Sequence, residues 1–178
     1  MQQPNYNPFP NLSSNRLDFR VLSMADKNEI FRLRSDEIVL KYIEMPKAKN
    51  LKEAEDFIQM LADGLVENKW ITWGFCLKNT DKILGTICLW NCYIPTANAE
   101  IGYGLLPEFH NQGFMTEAME VVLDFAFQTL GFREIDAILH KDNLACLSIL
   151  KKFTFQYDAA FESDNEAFVR YFLIQDLI

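Results

Sequence analysis

Seven stretches of the chain carry the apolar content and alternation of β-strands. They are Leu17 to Leu22, Ile71 to Leu77, Ile83 to Trp90, Glu100 to Leu106, Arg133 to His140, Phe155 to Phe161 and Phe168 to Ile174. Four other stretches repeat apolar residues at helical spacing. The first follows Ser23, whose hydroxyl and the acidic Asp26 three residues on form a capping-box-like start, and runs to about Arg34. The second runs from Leu51 to about Val66 behind Asn50, with Ala54, Phe57, Ile58 and Leu61 on one face. The third begins near Met115 or Thr116, carries Ala118, Val121, Val122, Phe125 and Ala126, and ends before Gly131, a C′ glycine. The fourth spans Asn143 to Lys152. Asn79 to Lys82 reads as a hairpin loop, and Asn91 to Asn98 as a longer connection.

Neighbouring strands with helices packed on them predict a mixed α/β (α+β) domain. At 178 residues and 49% hydrophobic content, one domain with a sizeable core is expected over 15–178. Residues 1–14, rich in Asn, Pro, Gln and Ser, read as a flexible N-terminal arm. The formal net charge of −8 argues against a nucleic-acid partner, which requires a basic face, and mildly favours cationic substrates. Cys76, Cys88, Cys92 and Cys146 have no CxxC spacing, and the only two histidines, His110 and His140, lie far apart, so no metal site is expected. No signal-peptide pattern and no membrane-length apolar run stand out, so the expectation is a reduced, soluble, cytoplasmic protein with no membrane partner.

The stretch from Ala99 to Leu130 organises the rest. A strand reaches Pro107, which cannot donate to a ladder, and a polar loop His110, Asn111, Gln112, Gly113 leads into the third helix. The first N–H groups of a helix lack internal partners and its dipole favours negative charge there, so this junction is a candidate anion cradle. Gly113 allows close backbone approach. Gly102 and Gly104 do not make a dinucleotide fingerprint, because Pro107 takes the third glycine's place.

The same stretch resembles the acetyl-CoA signature of the GNAT N-acetyltransferases, in particular the RimJ/RimL-type branch (ribosomal-protein N-terminal acetyltransferase-like). That pattern reads AEIGYxLLPExxxxGxxTEA. Ala99 to Tyr103, Leu105 to Glu108, Gly113 and Thr116 to Ala118 match it. The general GNAT core, Gln/Arg-x-x-Gly-x-Gly/Ala, reads His110, Gly113 and Met115 here, so its outer positions depart. A second signature, NxxSxxxLxKxGF, is matched by Asn143, Leu150, Lys152 and Phe155, with Cys146 for Ser and Thr154 for Gly. Arg16, Leu17, Arg34, Ser35, Asp36 and Tyr42 resemble the opening of the same branch.

The resemblance implies a GNAT fold: a mixed, mostly antiparallel seven-stranded sheet with about four flanking helices. Its central parallel strands, at Glu100 and Arg133, would splay apart to admit a pantetheine arm. It implies an acyltransferase with acetyl-CoA as cosubstrate, held by Leu105, Leu106, His110, Asn111, Gln112, Gly113, Phe114, Met115, Thr116 and Asn143. The reaction implied is direct attack of a primary amine on the thioester. The acceptor is a protein N-terminal amine or, alternatively, a small molecule such as a polyamine or aminoglycoside. A non-catalytic CoA-binding module of the same fold is the competing reading from another class. Glu100 is the base candidate, and an N–H near Leu105 or Leu106 would serve the tetrahedral intermediate. Cys146 would protonate the departing thiolate, with Ser148 as a substitute, since the Tyr that many relatives carry seven residues after the Asn is Leu150 here. Trp90 and Glu44 are the acceptor-side candidates, and a monomer or homodimer is expected.

Overall fold

The computed structural model describes residues 4–175. The elements in order are β1 (Leu12–Ser13), β2 (Leu17–Val21), α1 (Lys27–Ser35), α2 (Glu37–Leu40), α3 (Leu51–Val66), β3 (Ile71–Leu77), β4 (Ile83–Tyr93), β5 (Asn98–Leu105), α4 (Phe114–Asp124), β6 (Glu134–His140), α5 (Leu144–Lys152), β7 (Gln156–Tyr157) and β8 (Phe168–Ile174). They build one 8-stranded sheet in the order β1-β2-β3-β4-β5-β6-β8-β7. Among the described residues only β5 and β6 run parallel; every other neighbouring pair is antiparallel.

The local signals hold. Ser23 and Asp26 form a full capping box, though the first turn is a 3₁₀ turn at Met24–Asp26. Asn50 Oδ1 accepts from the Glu53 N–H at 3.1 Å and starts α3. Gly131 adopts φ +73°, as a C′ glycine does.

Each face of the sheet carries its own core. Ile101 joins Phe114, Met115, Ala118, Met119 and Val122 of α4 on one face, with Tyr103 and Leu105 packed against them. On the other face Leu22, Ile83 and Leu106 meet Ile30 and Leu33 of α1 and Ala54 and Ile58 of α3. Strand side chains alternate between faces. Glu100, Gly102 and Gly104 therefore look toward the α1–α3 side, and Ile101, Tyr103 and Leu105 toward α4.

Within that fold the details depart from expectation at several points. Residues 4–14 of the supposed arm pack rather than stand free. Tyr6 is 2% exposed, its hydroxyl 3.5 Å from Cys92 Sγ, and the Trp73 indole N–H donates to the Pro10 carbonyl at 2.8 Å. Two residues of this segment, Leu12 and Ser13, supply the eighth strand by pairing with β2. A fifth helix, α2, forms because the Asp36 side chain caps the N–H groups of Ile38 and Val39. The strand expected over 155–161 shortens to β7, because Asp158 turns away to meet Arg170. Finally, α4 ends in a π turn over Phe125–Thr129, for which the residue pattern carries no signal.

Candidate active site

The parallel ladder between β5 and β6 is brief. Asn98 pairs with Glu134, Ala99 with Ile135 and Glu100 with Asp136, and there it stops. Beyond it β5 stays with β4 as far as Gly85 opposite Leu105, while β6 stays with β8 as far as His140 opposite Phe168. The two central strands thus splay into a notch, as the resemblance implied. Leu106 N–H donates to Leu84 O at 2.9 Å. In an antiparallel ladder hydrogen-bonded and non-bonded pairs alternate, so the backbone groups of Leu105, Tyr103 and Ile101 face the notch. The N–H of Leu105 is therefore available there. That of Leu106 is not, which corrects its assignment as a donor.

The Gly113 loop stands at the far end of β5. Gly113 is the N-cap of α4 at φ +80°, and no side chain caps the helix. Its first N–H groups remain open to an anion. The loop is braced by its own side chains: His110 Nε2 donates to Leu105 O at 2.9 Å and Gln112 Nε2 to Glu108 O at 2.9 Å. Asn111 takes a left-handed φ of +59°. Phe114 and Met115 are buried in the α4 core, so the long side chain of Met115 leaves the cradle clear. Thr116 is half-buried in the first turn. Arg16, which was not assigned to the site from sequence, adds positive charge. Its Nη1 donates to Gln112 O at 3.1 Å, its Nε meets Glu117 at 2.6 Å, and it stacks on Phe114. A basic residue 96 positions upstream of the loop gives no sign of this in one dimension. An uncapped N-terminus, a left-handed glycine and a nearby guanidinium fit a pyrophosphate.

Glu100 lies where the strands part. It is 9% exposed, and burial pushes its carboxyl up to about 7, with Asp136 adding to the rise and an Asn91 hydrogen bond opposing it. Asn91 Nδ2 donates to Glu100 Oε2 at 3.0 Å. Asn91 reaches that position because β4 bulges beyond Trp90, with Asn91 itself at φ +46°. Trp90 is directly opposite Glu100 and remains half exposed, its indole nitrogen 3.7 Å from where a Cβ on Gly102 would stand. The glycines at 102 and 104 thus leave an open floor beside Glu100.

Across the notch, Asn143 caps α5, its Oδ1 accepting from Cys146 N–H at 3.2 Å. Cys146 sits beside Tyr103, and burial pushes its thiol upward. Because Tyr103 and Glu100 occupy opposite faces of β5, Cys146 and Glu100 address the notch from opposite sides. Ser148 is exposed, two residues along α5 from Cys146, and so does not share its side of the helix. Glu44 accepts from Asn165 Nδ2 at 2.6 Å and helps tie the loop after α2 to the loop before β8. Two residues earlier in that loop, Tyr42 lies against His140 at the end of β6, ring centroids 5.2 Å apart. Cys88 lies under Gly102, where burial pushes its thiol up to about 12 and leaves it an inert wall. Among the described residues no cluster of His, Cys, Asp and Glu could hold a metal ion, and no helix is long and apolar enough to cross a membrane.

Comparison with known proteins agrees with this geometry. Residues 16–156 match the family described as the acetyltransferase (GNAT) domain. An uncharacterized N-acetyltransferase of Bacillus subtilis (strain 168), YoaA, is 32% identical over 83% of this chain and 84% of its own. Among solved structures, RimL, a ribosomal L7/L12 alpha-N-protein acetyltransferase in complex with coenzyme A, superposes with a TM-score of 0.81 at 16% identity, covering 94% of this chain and 99% of that one. An acetyltransferase from Agrobacterium tumefaciens str. C58 gives 0.79 at 18% identity, covering 94% and 95%. By the matched domain and the extent of likeness to YoaA, the chain belongs to the GNAT acetyltransferase family and is an acyltransferase.

Proposed function

We propose that this protein transfers the acetyl group of acetyl-CoA to a primary amine, and that a protein N-terminal amine is the acceptor it suits best. The observation that carries the reading is Glu100, a buried carboxyl raised to about 7 at the point where β5 and β6 separate. A base poised near neutrality is matched to removing a proton from an amine. An α-amine, with an ordinary pKa near 7.7–8.0, is about a tenth neutral at pH 7 and close to the proton affinity of Glu100. A lysine near 10.4 is neutral roughly a few times in ten thousand and demands more help. The coenzyme A bound in RimL supports the choice of cosubstrate, as does RimL's alpha-N-protein substrate for the choice of acceptor.

In this reading the α4 N-terminus and Arg16 receive the pyrophosphate, and Asn143 and the open edges of β5 and β6 receive the amide-bearing arm. Acetyl-CoA supplies an activated acyl group on a thiol leaving group. The Leu105 N–H faces the notch and is the donor for the developing oxyanion. Glu100 takes the amine proton from the α1–α3 side, beside Trp90. Cys146, kept protonated by burial, gives its proton to the departing thiolate from the α4 side. No covalent enzyme intermediate is needed. The half-exposed Trp90 gives the acceptor an apolar wall.

The test is acetyl transfer to N-terminal peptides, polyamines and aminoglycosides, with acetyl-CoA binding followed by calorimetry. Glu100→Gln is expected to lower kcat/KM by about a hundred- to ten-thousand-fold, with acetyl-CoA affinity unchanged. Full activity in that variant sinks the role of Glu100. Micromolar acetyl-CoA binding with no acceptor turned over would instead favour a binding module.

A further inference from the structure

Glu100 and Asp136 are the last pair of the parallel ladder. Adjacent strands in register put paired side chains on one face, about 4.8 Å apart at the backbone. Two carboxyl groups therefore stand side by side at the root of the notch, both buried, at 9% and 8% exposure. Two acids are not left adjacent in a buried position without something to hold one of them. Asn98 Nδ2 donates to Asp136 Oδ2 at 3.0 Å. Arg170, from β8, donates to Asp136 Oδ1 through Nε at 3.1 Å and Nη2 at 2.6 Å. The same guanidinium meets Glu134 at 2.5 Å and Asp158 at 2.5 Å. Its donors are committed to these three acids, and none is directed to Glu100. Glu100 takes its single neutral hydrogen bond from Asn91 on the opposite side.

We propose that Asp136, fixed by Arg170 and Asn98, is a positioning residue that sets the proton affinity of Glu100, an inference that rests on Glu100 being the base. A like charge beside a buried carboxyl favours its protonated form. This adds to the effect of burial, which is the larger of the two, and works against the Asn91 hydrogen bond. The other groups around Glu100 leave Asp136 as the neighbouring charge. From β4 come Trp90 and the neutral thiol of Cys88, from β5 itself Gly102, and from the helices Leu33 and Val39 over Gly104. Arg170 comes from β8, on the side of β6 away from β5, and reaches Asp158 after β7, while Glu134 stands two residues before Asp136, opposite Asn98. Arg170 therefore acts through Asp136, holding its carboxylate in one orientation.

The experiment titrates Glu100 directly. Protein labelled with ¹³C at the glutamate side-chain carboxyl is followed by NMR across pH, and Glu100→Gln identifies the resonance. Asp136→Asn keeps the shape and an oxygen facing Arg170 while removing the charge. The midpoint of Glu100 is expected to fall by about half to one pH unit, and the acid limb of kcat/KM to move down with it. The plateau rate is expected to fall about two- to five-fold, as a weaker base requires. Asp136→Ser, read the same way, covers the case in which the asparagine variant does not fold. A midpoint that stays put or rises in a folded variant overturns the inference, because loss of mere packing would lower activity without moving a titration toward acid. An active Glu100→Gln protein overturns the base reading and this inference together. An inactive one with an unmoved midpoint overturns this inference alone.

Discussion

Asn91 donates to the Oε2 of Glu100 at 3.0 Å from a left-handed bulge position at φ +46°. A hydrogen bond to the ionised carboxylate favours that form, so Asn91 holds the acidity of Glu100 below what burial alone would give. Replacing Asn91 by Ala is therefore expected to raise the Glu100 midpoint above 7 and to carry the acid limb of kcat/KM to higher pH. A pH–rate profile on a peptide acceptor checks this, and a limb moving toward acid would contradict it. The shift is opposite in sign to that expected for Asp136→Asn, so the two variants bracket the wild type.

The same carboxyl costs the fold stability. Its folded value, about 7, lies above the ordinary 4.5. The protonated form is thus favoured in the folded state, and that contribution is fully present below about 4.5 and lost as pH rises through about 7. Glu100→Gln keeps the acceptor for Asn91 and removes the charge. It is expected to match the wild type near pH 4.5 and to exceed it by roughly 2–3 kcal/mol at pH 8. Urea unfolding at both pH values measures the difference. An equal margin at the two pH values would mean that Glu100 is not held near neutrality by its site.

At Gly113, two substitutions separate backbone strain from charge. The residue sits at φ +80°, and a Cβ there would lie 3.4 Å from Arg16 Nη2. Ala and Glu share the left-handed cost of about 1–2 kcal/mol. Glu adds a negative charge where a phosphate would bind, yet favours the helix dipole. The Glu variant is expected to be at least as stable as the Ala variant and to bind acetyl-CoA about ten-fold or more weakly. Parallel calorimetry and thermal melts decide. Equal affinities would place the phosphates elsewhere.

The sequence carried the ends of the elements well where a single residue sets them. Ser23, Asn50 and Gly131 are caps whose chemistry is local, and all three act as such. The Glu100 to Leu106 run likewise revealed its strand and, by parity, which of its side chains share a face. What stayed hidden depends on partners distant in the chain. Asn91 matters only because the bulge turns it toward Glu100. Arg170 matters only because β8 lies beside β6, bringing it onto Glu134 and Asp136 of β6 and onto Asp158 after β7. Cys146 and its substitute Ser148 are two residues apart along the chain, and that one is part-buried and the other exposed shows only in the fold. Composition misled at residues 4–14: polar, proline-rich sequence resembles a free arm, but one Tyr and one Phe suffice to anchor it.

That anchoring yields a last prediction. Removing residues 1–10 takes away buried Tyr6, the edge-on contact of Phe9 with Trp73, and the Pro10 carbonyl that accepts from the Trp73 indole. Leaving a buried donor unpaired costs about 1–3 kcal/mol, and uncovering aromatic surface adds about 1.5–3 kcal/mol for each large side chain. A loss of about 3–5 kcal/mol follows, or roughly 10 °C in Tm at a few degrees per kcal/mol. The effect should also reach the site. Tyr6 contacts Cys92, which adjoins Asn91 in the bulge. Loosening the bulge weakens the bond to Glu100, so the truncated protein should show its acid limb displaced toward higher pH, as Asn91→Ala does. Tyr6→Phe separates these effects, since it keeps the ring and removes only the hydroxyl. A truncated protein with unchanged melting and an unchanged limb would show that the segment contributes to neither the fold nor the site.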